Sequence, residues 1–135
     1  METTIYDKNG EPMAYLADDY SGTIYLWGGE PVAYVYEDVH VYGLNGRHLA
    51  WFRDDVLYSP DGKRVGFTSR TCPVSISKSP QKTKRGRASE IRPRWKAQAP
   101  PKFSLLLSDQ DPGDLLKQGG TTFRPVEEEK ESVKD

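Results

Sequence analysis

The chain has one cysteine, two histidines and no apolar run long enough to cross a membrane, and each shortage closes a class of explanation. A lone Cys72 forms no internal disulfide, and with only His40 and His48 beside it no zinc site can be assembled. A mean hydropathy of −0.74 with 29% charged residues excludes a membrane-spanning helix. The opening Met1-Glu2-Thr3-Thr4 lacks the basic and apolar blocks of a secretory signal, so a cytoplasmic location is the expectation. No metal or cofactor is implied. At 135 residues the chain is long enough for one core.

What the chain does have is one pattern written four times, over residues 5–15, 24–34, 41–51 and 57–67. Each copy runs aliphatic, Tyr, two variable residues, a pair ending in Gly, two polar or Pro residues, aliphatic, Ala or Gly, aromatic. Asn9-Gly10, Gly28-Gly29, Asn45-Gly46 and Asp61-Gly62 supply residues that tolerate positive φ, which two-residue hairpin turns need at both central positions. Each copy therefore reads as one β-hairpin. No glycine pair sits at a strand-to-helix junction, so phosphate loops are absent. Asp18-Asp19, Glu37-Asp38 and Asp54-Asp55 fall where the chain must reverse between copies. Asp suits such turns by accepting bonds from nearby backbone amides, which explains these pairs better than paired catalytic carboxylates do.

Alternation places Ile5, Val41 and Leu57 on one face and Tyr6, Tyr25, Tyr42 and Tyr58 on the other. On the return strands Met13, Val32, Leu49 and Val65 share a parity with Tyr15, Tyr34, Trp51 and Phe67, while Ala14, Ala33, Ala50 and Gly66 point oppositely. Small residues at one position of every copy imply either close approach of neighbouring strands or a narrow axis where four copies meet, because a large side chain would clash four times over. A single hairpin is marginal in water, so the copies must pack on each other. The fold class is all-β, four tandem hairpins with an irregular basic strap and a short C-terminal strand and helix. The pattern [Ile/Val/Leu]-Tyr-x-x-[Asn/Gly/Asp]-Gly-x-x-[aliphatic]-[Ala/Gly]-[aromatic], repeated over residues 4–68, resembles the small bacterial family called the four-fold β-flower. That resemblance implies four petals about a pseudo-four-fold axis and carries no catalytic residues. The Tyr6-Asp7-Lys8-Asn9-Gly10 copy is also similar to YD-type repeats of bacterial surface proteins, a match the other three copies do not extend.

Charge divides the chain further. Residues 1–68 carry a net of −6, residues 69–102 a net of +9 and residues 103–135 a net of −4. The middle segment, with Pro73, Pro80, Pro93, Pro100 and Pro101, denies a long helix and reads as an extended strap, with residues 72–76 the best candidate for a short strand. It can lie along the acidic repeats or reach a separate polyanion. Residues 103–107 read as a strand, followed by a helix from an N-cap at Ser108 to Gln118 that packs Leu115 and Leu116 on the core. Residues 121–135 read as a solvated acidic tail.

Three functions are compatible with this inventory. The first is a non-enzymatic interaction module for a protein or small ligand, with Tyr6, Tyr25, Tyr42 and Tyr58 and the acidic turns as contacts. The second is nucleic-acid binding through residues 78–102, with Lys82, Lys84, Arg85, Arg87, Arg92 and Arg94 meeting phosphates and Trp95 stacking on bases. The third, a hydrolase pairing Cys72 with His40 or His48, is disfavoured because Cys before Pro73 reads as a small packing residue. Exposed end strands are compatible with a homo-oligomer.

Overall fold

The computed structural model describes residues 2–19, 22–77, 82–88 and 92–120, and these form a closed barrel of eight antiparallel strands in chain order. The strands are β1 Thr3–Tyr6, β2 Pro12–Leu16, β3 Thr23–Leu26, β4 Pro31–Tyr36, β5 His40–Gly43, β6 His48–Arg53, β7 Val56–Tyr58 and β8 Arg64–Phe67. The four hairpins are β1/β2, β3/β4, β5/β6 and β7/β8. Among the described residues ring closure rests on one pair, Tyr6 with Phe67. Among the described residues no helix is long and apolar enough to cross a membrane.

The repeated small residue is what allows the ring to close. Cross-strand pairs Ile5 with Ala14, Ile24 with Ala33, Val41 with Ala50 and Leu57 with Gly66 bring one large and one small residue per hairpin to the axis. All eight are buried. An eight-stranded barrel is just wide enough to be filled by side chains, and four aliphatics alternating with four Ala or Gly fill it without a channel. At Gly66 the fit is tight, since an added Cβ would stand 3.0 Å from Ile5 Cγ2.

Two details differ from simple alternation. Each hairpin has a register shift, between Ile5 and Tyr6, Ile24 and Tyr25, Val41 and Tyr42, and Leu57 and Tyr58. A bulge places two residues opposite one and re-aims side chains. Val32, Leu49 and Val65 therefore join the core with Leu115 and Leu116 instead of lying beside the aromatics. The turn chemistry is also exchanged. At the Gly pairs only the glycine has positive φ (83°, 95°, 95° and 86° for Gly10, Gly29, Gly46 and Gly62), giving a turn closed by bonds such as Gly10 N–H to Asp7 O, followed by a left-handed glycine. Both residues are left-handed at the acidic reverse turns instead, Glu37-Asp38 (53°, 65°) and Asp54-Asp55 (51°, 64°).

The barrel is stoppered at both ends. Helix α1, Pro112–Lys117, starts from N-cap Asp111, whose Oδ1 accepts from Gly113 N (2.6 Å) and Asp114 N (3.3 Å), with Pro112 in the first turn. This start lies beyond the expected Ser108, because the Pro at the start of the helix and the Asp side chain together define the cap. Leu115 and Leu116 enter the core. The following turn, Gln118–Gly120, is tied to the third hairpin by Asn45 N–H to Gly119 O (3.1 Å) and Asn45 Nδ2 to Gln118 O (2.7 Å). The expected strand over residues 103–107 reduces to one bridge between Leu107 and Arg64, and residues 72–76 form no strand. At the other end Leu16, Val35 and Phe52 close over Ile5, Ile24 and Leu57 and leave no room for a water molecule. The acidic tail lies outside the described residues.

Candidate functional site

The strap is a second four-fold element laid over the first. Four backbone amides spaced nine residues apart donate to the four turn glycines in order: Ser77 to Gly10 O (2.8 Å), Gly86 to Gly29 O (2.7 Å), Trp95 to Gly46 O (3.0 Å) and Ser104 to Gly62 O (3.0 Å). The strap passes so close that a Cβ on Gly29 would stand 2.2 Å from Lys84 O, and one on Gly46 2.5 Å from the Trp95 ring. Glycine at these turns is thus required both by its φ and by the chain lying on it. Net charges of −6 and +9 meet in one molecule, which favours the seated strap.

At three of the four anchors the residue immediately before the amide lies on the barrel's outer face: Arg85, Arg94 and Phe103. The outer face is aromatic because the outward residues of neighbouring hairpins pair across their seams, Tyr15 with Tyr25, Tyr34 with Tyr42, Trp51 with Tyr58 and Phe67 with Tyr6. Tyr15 and Tyr25 stack at 5.4 Å and Tyr34 and Tyr42 at 5.9 Å between ring centroids. Arg85 lies 5.2 Å from the Tyr25 centroid and Arg94 4.0 Å from that of Tyr36, while Phe103 meets Tyr58 edge-on at 4.9 Å. Cation over ring is worth about 0.5–1 kcal/mol per contact at exposed sites, so the strap is held by many small terms.

The four candidate tyrosines are accordingly distributed, one to each seam, and share no pocket. Tyr6, Tyr25 and Tyr42 are buried and Tyr58 is half-buried. Burial pushes the Tyr42 and Tyr34 hydroxyls above their ordinary pKa, and the Tyr34 hydroxyl donates to Pro93 O at 2.6 Å. Of the candidate basic residues, Lys82, Arg85, Arg92 and Arg94 face the barrel. Arg92 reaches Thr23 Oγ1 at 3.0 Å and lies 5.5 Å from the Tyr34 centroid. Lys84 and Arg87 are exposed, and Trp95 lies on Gly46 with 42% of its surface in solvent.

One corner of this interface is more organised than the rest. Tyr15 and Trp27 stand edge-to-face at 89°, ring centroids 5.9 Å apart, with Lys82 Nζ 4.2 Å from the Tyr15 centroid and 5.5 Å from that of Trp27. Glu2 closes the corner, paired with Lys82 and, at 2.5 Å, with Arg85 Nη2. Hydrogen bonding from Lys82, then from Arg85, holds the Glu2 carboxyl below its usual pKa.

The two histidines come together on the third hairpin, a contact that sequence spacing alone did not suggest. Gln98 N–H donates to His48 Nδ1 (3.4 Å), which leaves the proton on His48 Nε2 to face His40 Nδ1 at 3.1 Å. His48 is buried, and desolvation, then the neighbouring His40, lowers its pKa from 6.5 to about 4. The signal for this contact was present: His40 and Tyr42 share a strand face, and Tyr42 pairs with His48. Cys72 lies at the first hairpin, its Sγ 3.6 Å from Asp7 O, so the nucleophile and imidazoles proposed for a hydrolase are on different hairpins. Among the described residues no three His, Cys, Asp or Glu side chains group to hold a metal.

Two surface clefts complete the description. One, of about 380 Å³, lies at the closing seam between Thr3, Thr4, Thr68 and Arg70, where Arg70 pairs with Asp55 at 3.5 Å. The other, of about 400 Å³, lies between helix α1 and the second hairpin, walled by Met13, Leu26 and Trp27 with Glu30 at its rim. A family model described as 4-fold beta flower protein matches residues 3–111, spanning all four hairpins and the strap. No curated protein and no solved structure matches.

Proposed function

The chain belongs to the 4-fold beta flower family, and we propose that it works as a non-enzymatic interaction module whose aromatic flank receives an extended basic chain. The observation that carries this reading is the order of the strap: four amides on four turn glycines, with Lys82, Arg85, Arg92 and Arg94 turned onto Tyr15, Tyr25, Tyr34 and Tyr36. In effect the barrel already binds one basic peptide, its own. Main-chain bonds supply affinity that is independent of side chain, and the ring stacks supply preference for cations.

The test is to nick the strap with trypsin and ask whether the pieces part. Retention of cleaved strap fragments on the barrel through size-exclusion chromatography at low salt supports the reading. Separation after the first cut refutes it. A second reading, single-stranded nucleic-acid binding, draws on the exposed outward side of the strap, where Lys84, Arg87, Lys96 and part of Trp95 meet solvent. It requires oligonucleotide binding at low salt that weakens steeply as salt is added.

A further inference from the structure

We infer that the corner formed by Tyr15, Trp27 and Glu2 is a binding site for methylated ammonium groups, and that Lys82 occupies it in the resting chain. The inference rests on the reading of the aromatic flank as a receptor for basic groups and adds the chemical class of the ligand.

The geometry is that of a cation cage. Two rings set at 89° present their negative faces to one point, and the ammonium of Lys82 sits there, 4.2 Å and 5.5 Å from the two centroids. The carboxylate of Glu2 supplies the counter-charge. Tyr15 is held by Tyr25 stacked on its ring at 5.4 Å and by its strand pairing, so this wall of the cage is built by the barrel itself. A primary ammonium is compact and strongly hydrated, and it loses that hydration when it meets the rings. Each N-methyl group lowers the dehydration cost and adds contact with the indole and phenol, which is why aromatic corners of this kind discriminate in favour of methylated ammonium. The only direct bond that a quaternary ligand forfeits is the one to Glu2, whose charge still attracts it.

Trp27, half-buried, also lines the cleft of about 400 Å³ with Met13, Leu26 and Glu30, so one wall of the cage borders a concave surface open to solvent. The strap around Lys82 is held by Gly86 on Gly29 and by a long bond of 3.4 Å from Thr83 N–H to Trp27 O. Lys82 therefore acts as a tethered competitor present at millimolar effective concentration or above.

The test uses the full chain with Lys82→Gln, titrated with choline chloride and, separately, with a short trimethyl-lysine peptide, and followed by isothermal titration calorimetry. Removing the competitor is expected to tighten binding at least about tenfold over the unmodified chain, and adding Trp27→Ala in the same background is expected to abolish it. Choline binding as tightly as the peptide identifies a free small cation as the ligand, whereas preference for the peptide identifies a methylated protein tail; both support the site. A Lys82→Gln chain that melts as the parent does and binds neither probe more tightly overturns it. Should that variant not fold, reductive ¹³C-dimethylation of the parent chain answers the same question. Ring currents are expected to move the Lys82 methyl protons upfield of the other lysines, and methyls that coincide with those of exposed lysines overturn the inference. Failure here with cleaved strap still retained on the barrel removes the ammonium site alone and leaves the interaction module standing.

Discussion

Two adjacent glycines in the second hairpin turn separate the role of the strap from that of the turn. Gly29 has φ 95°, accepts the Gly86 amide and leaves 2.2 Å between an added Cβ and Lys84 O, which is backbone and cannot swing away. Gly28 is not left-handed and has nothing within 4 Å of an added Cβ. Gly29→Ala therefore incurs about 1–2 kcal/mol for a left-handed alanine and about 1 kcal/mol for the lost strap bond. A further ~1–2 kcal/mol follows if Lys82 and Arg85 leave their rings. The total, roughly 3–5 kcal/mol, corresponds to a fall in Tm of about 10–20 °C for a domain of this size. Gly28→Ala, by contrast, is expected to be neutral or to stabilise by about 0.4–1 kcal/mol through the unfolded chain. Thermal melts followed by circular dichroism give the first number, and the initial rate of trypsin cleavage at Lys82, Lys84 and Arg85 reports whether the strap has lifted. Equal melting temperatures for the two variants, with no acceleration of cleavage in Gly29→Ala, would refute the seating of the strap on the turn.

Three other outcomes follow from the core, the histidines and the reverse turns. Leu116→Ala hollows the helical stopper and is expected to destabilise by about 2–5 kcal/mol in denaturant unfolding, with no effect on strap cleavage sites near the second hairpin. His48 favours its neutral form in the fold, so as pH falls below about 6.5 the unfolded chain takes up the proton first; a contribution on the order of 3 kcal/mol is fully present above pH 6.5 and lost by about pH 4. Urea unfolding at pH 7.5 and pH 4.5 should reveal it, and His48→Gln should remove most of the difference. Replacing Asp54-Asp55, both left-handed, with Asn-Gly is expected to stabilise by about 0.5–2 kcal/mol in the same assay, provided Thr68 N–H keeps its bond to the carbonyl at position 55.

The barrel was legible because its determinants are side chains repeated at fixed spacing. Ala14, Ala33, Ala50 and Gly66 announce a narrow axis, and Tyr and Trp at matched positions announce seams between hairpins. Those residues did not decide between a closed ring and an open meander, because the closing pair, Tyr6 with Phe67, joins the two ends of the repeat, while Leu115 and Leu116 were readable as core. The turn type was not, since Asn-Gly serves both the two-residue turn and the turn followed by a left-handed glycine, and only the flanking bulge, which sends Val32 and Leu49 inward, decides between them. Least visible was the order of the strap. Its nine-residue period is carried by backbone amides, which every residue but proline possesses, so Ser77, Gly86, Trp95 and Ser104 share a role and no side-chain chemistry. Of the positions before them, Arg85, Arg94 and Phe103 share only contact with an aromatic ring. For the same reason the dense run of Lys and Arg left open both a strap on the acidic repeats and a polyanion-binding arm, and nothing in the sequence signalled that four of its cations are turned onto tyrosines.

Native-state hydrogen exchange of the strap amides, read residue by residue by NMR, tests the central claim most directly. The account predicts slowed exchange at Ser77, Gly86, Trp95 and Ser104, each standing out from its exposed neighbours and together marking a period of nine. Exchange at all four amides at the rate of an unstructured chain would contradict it.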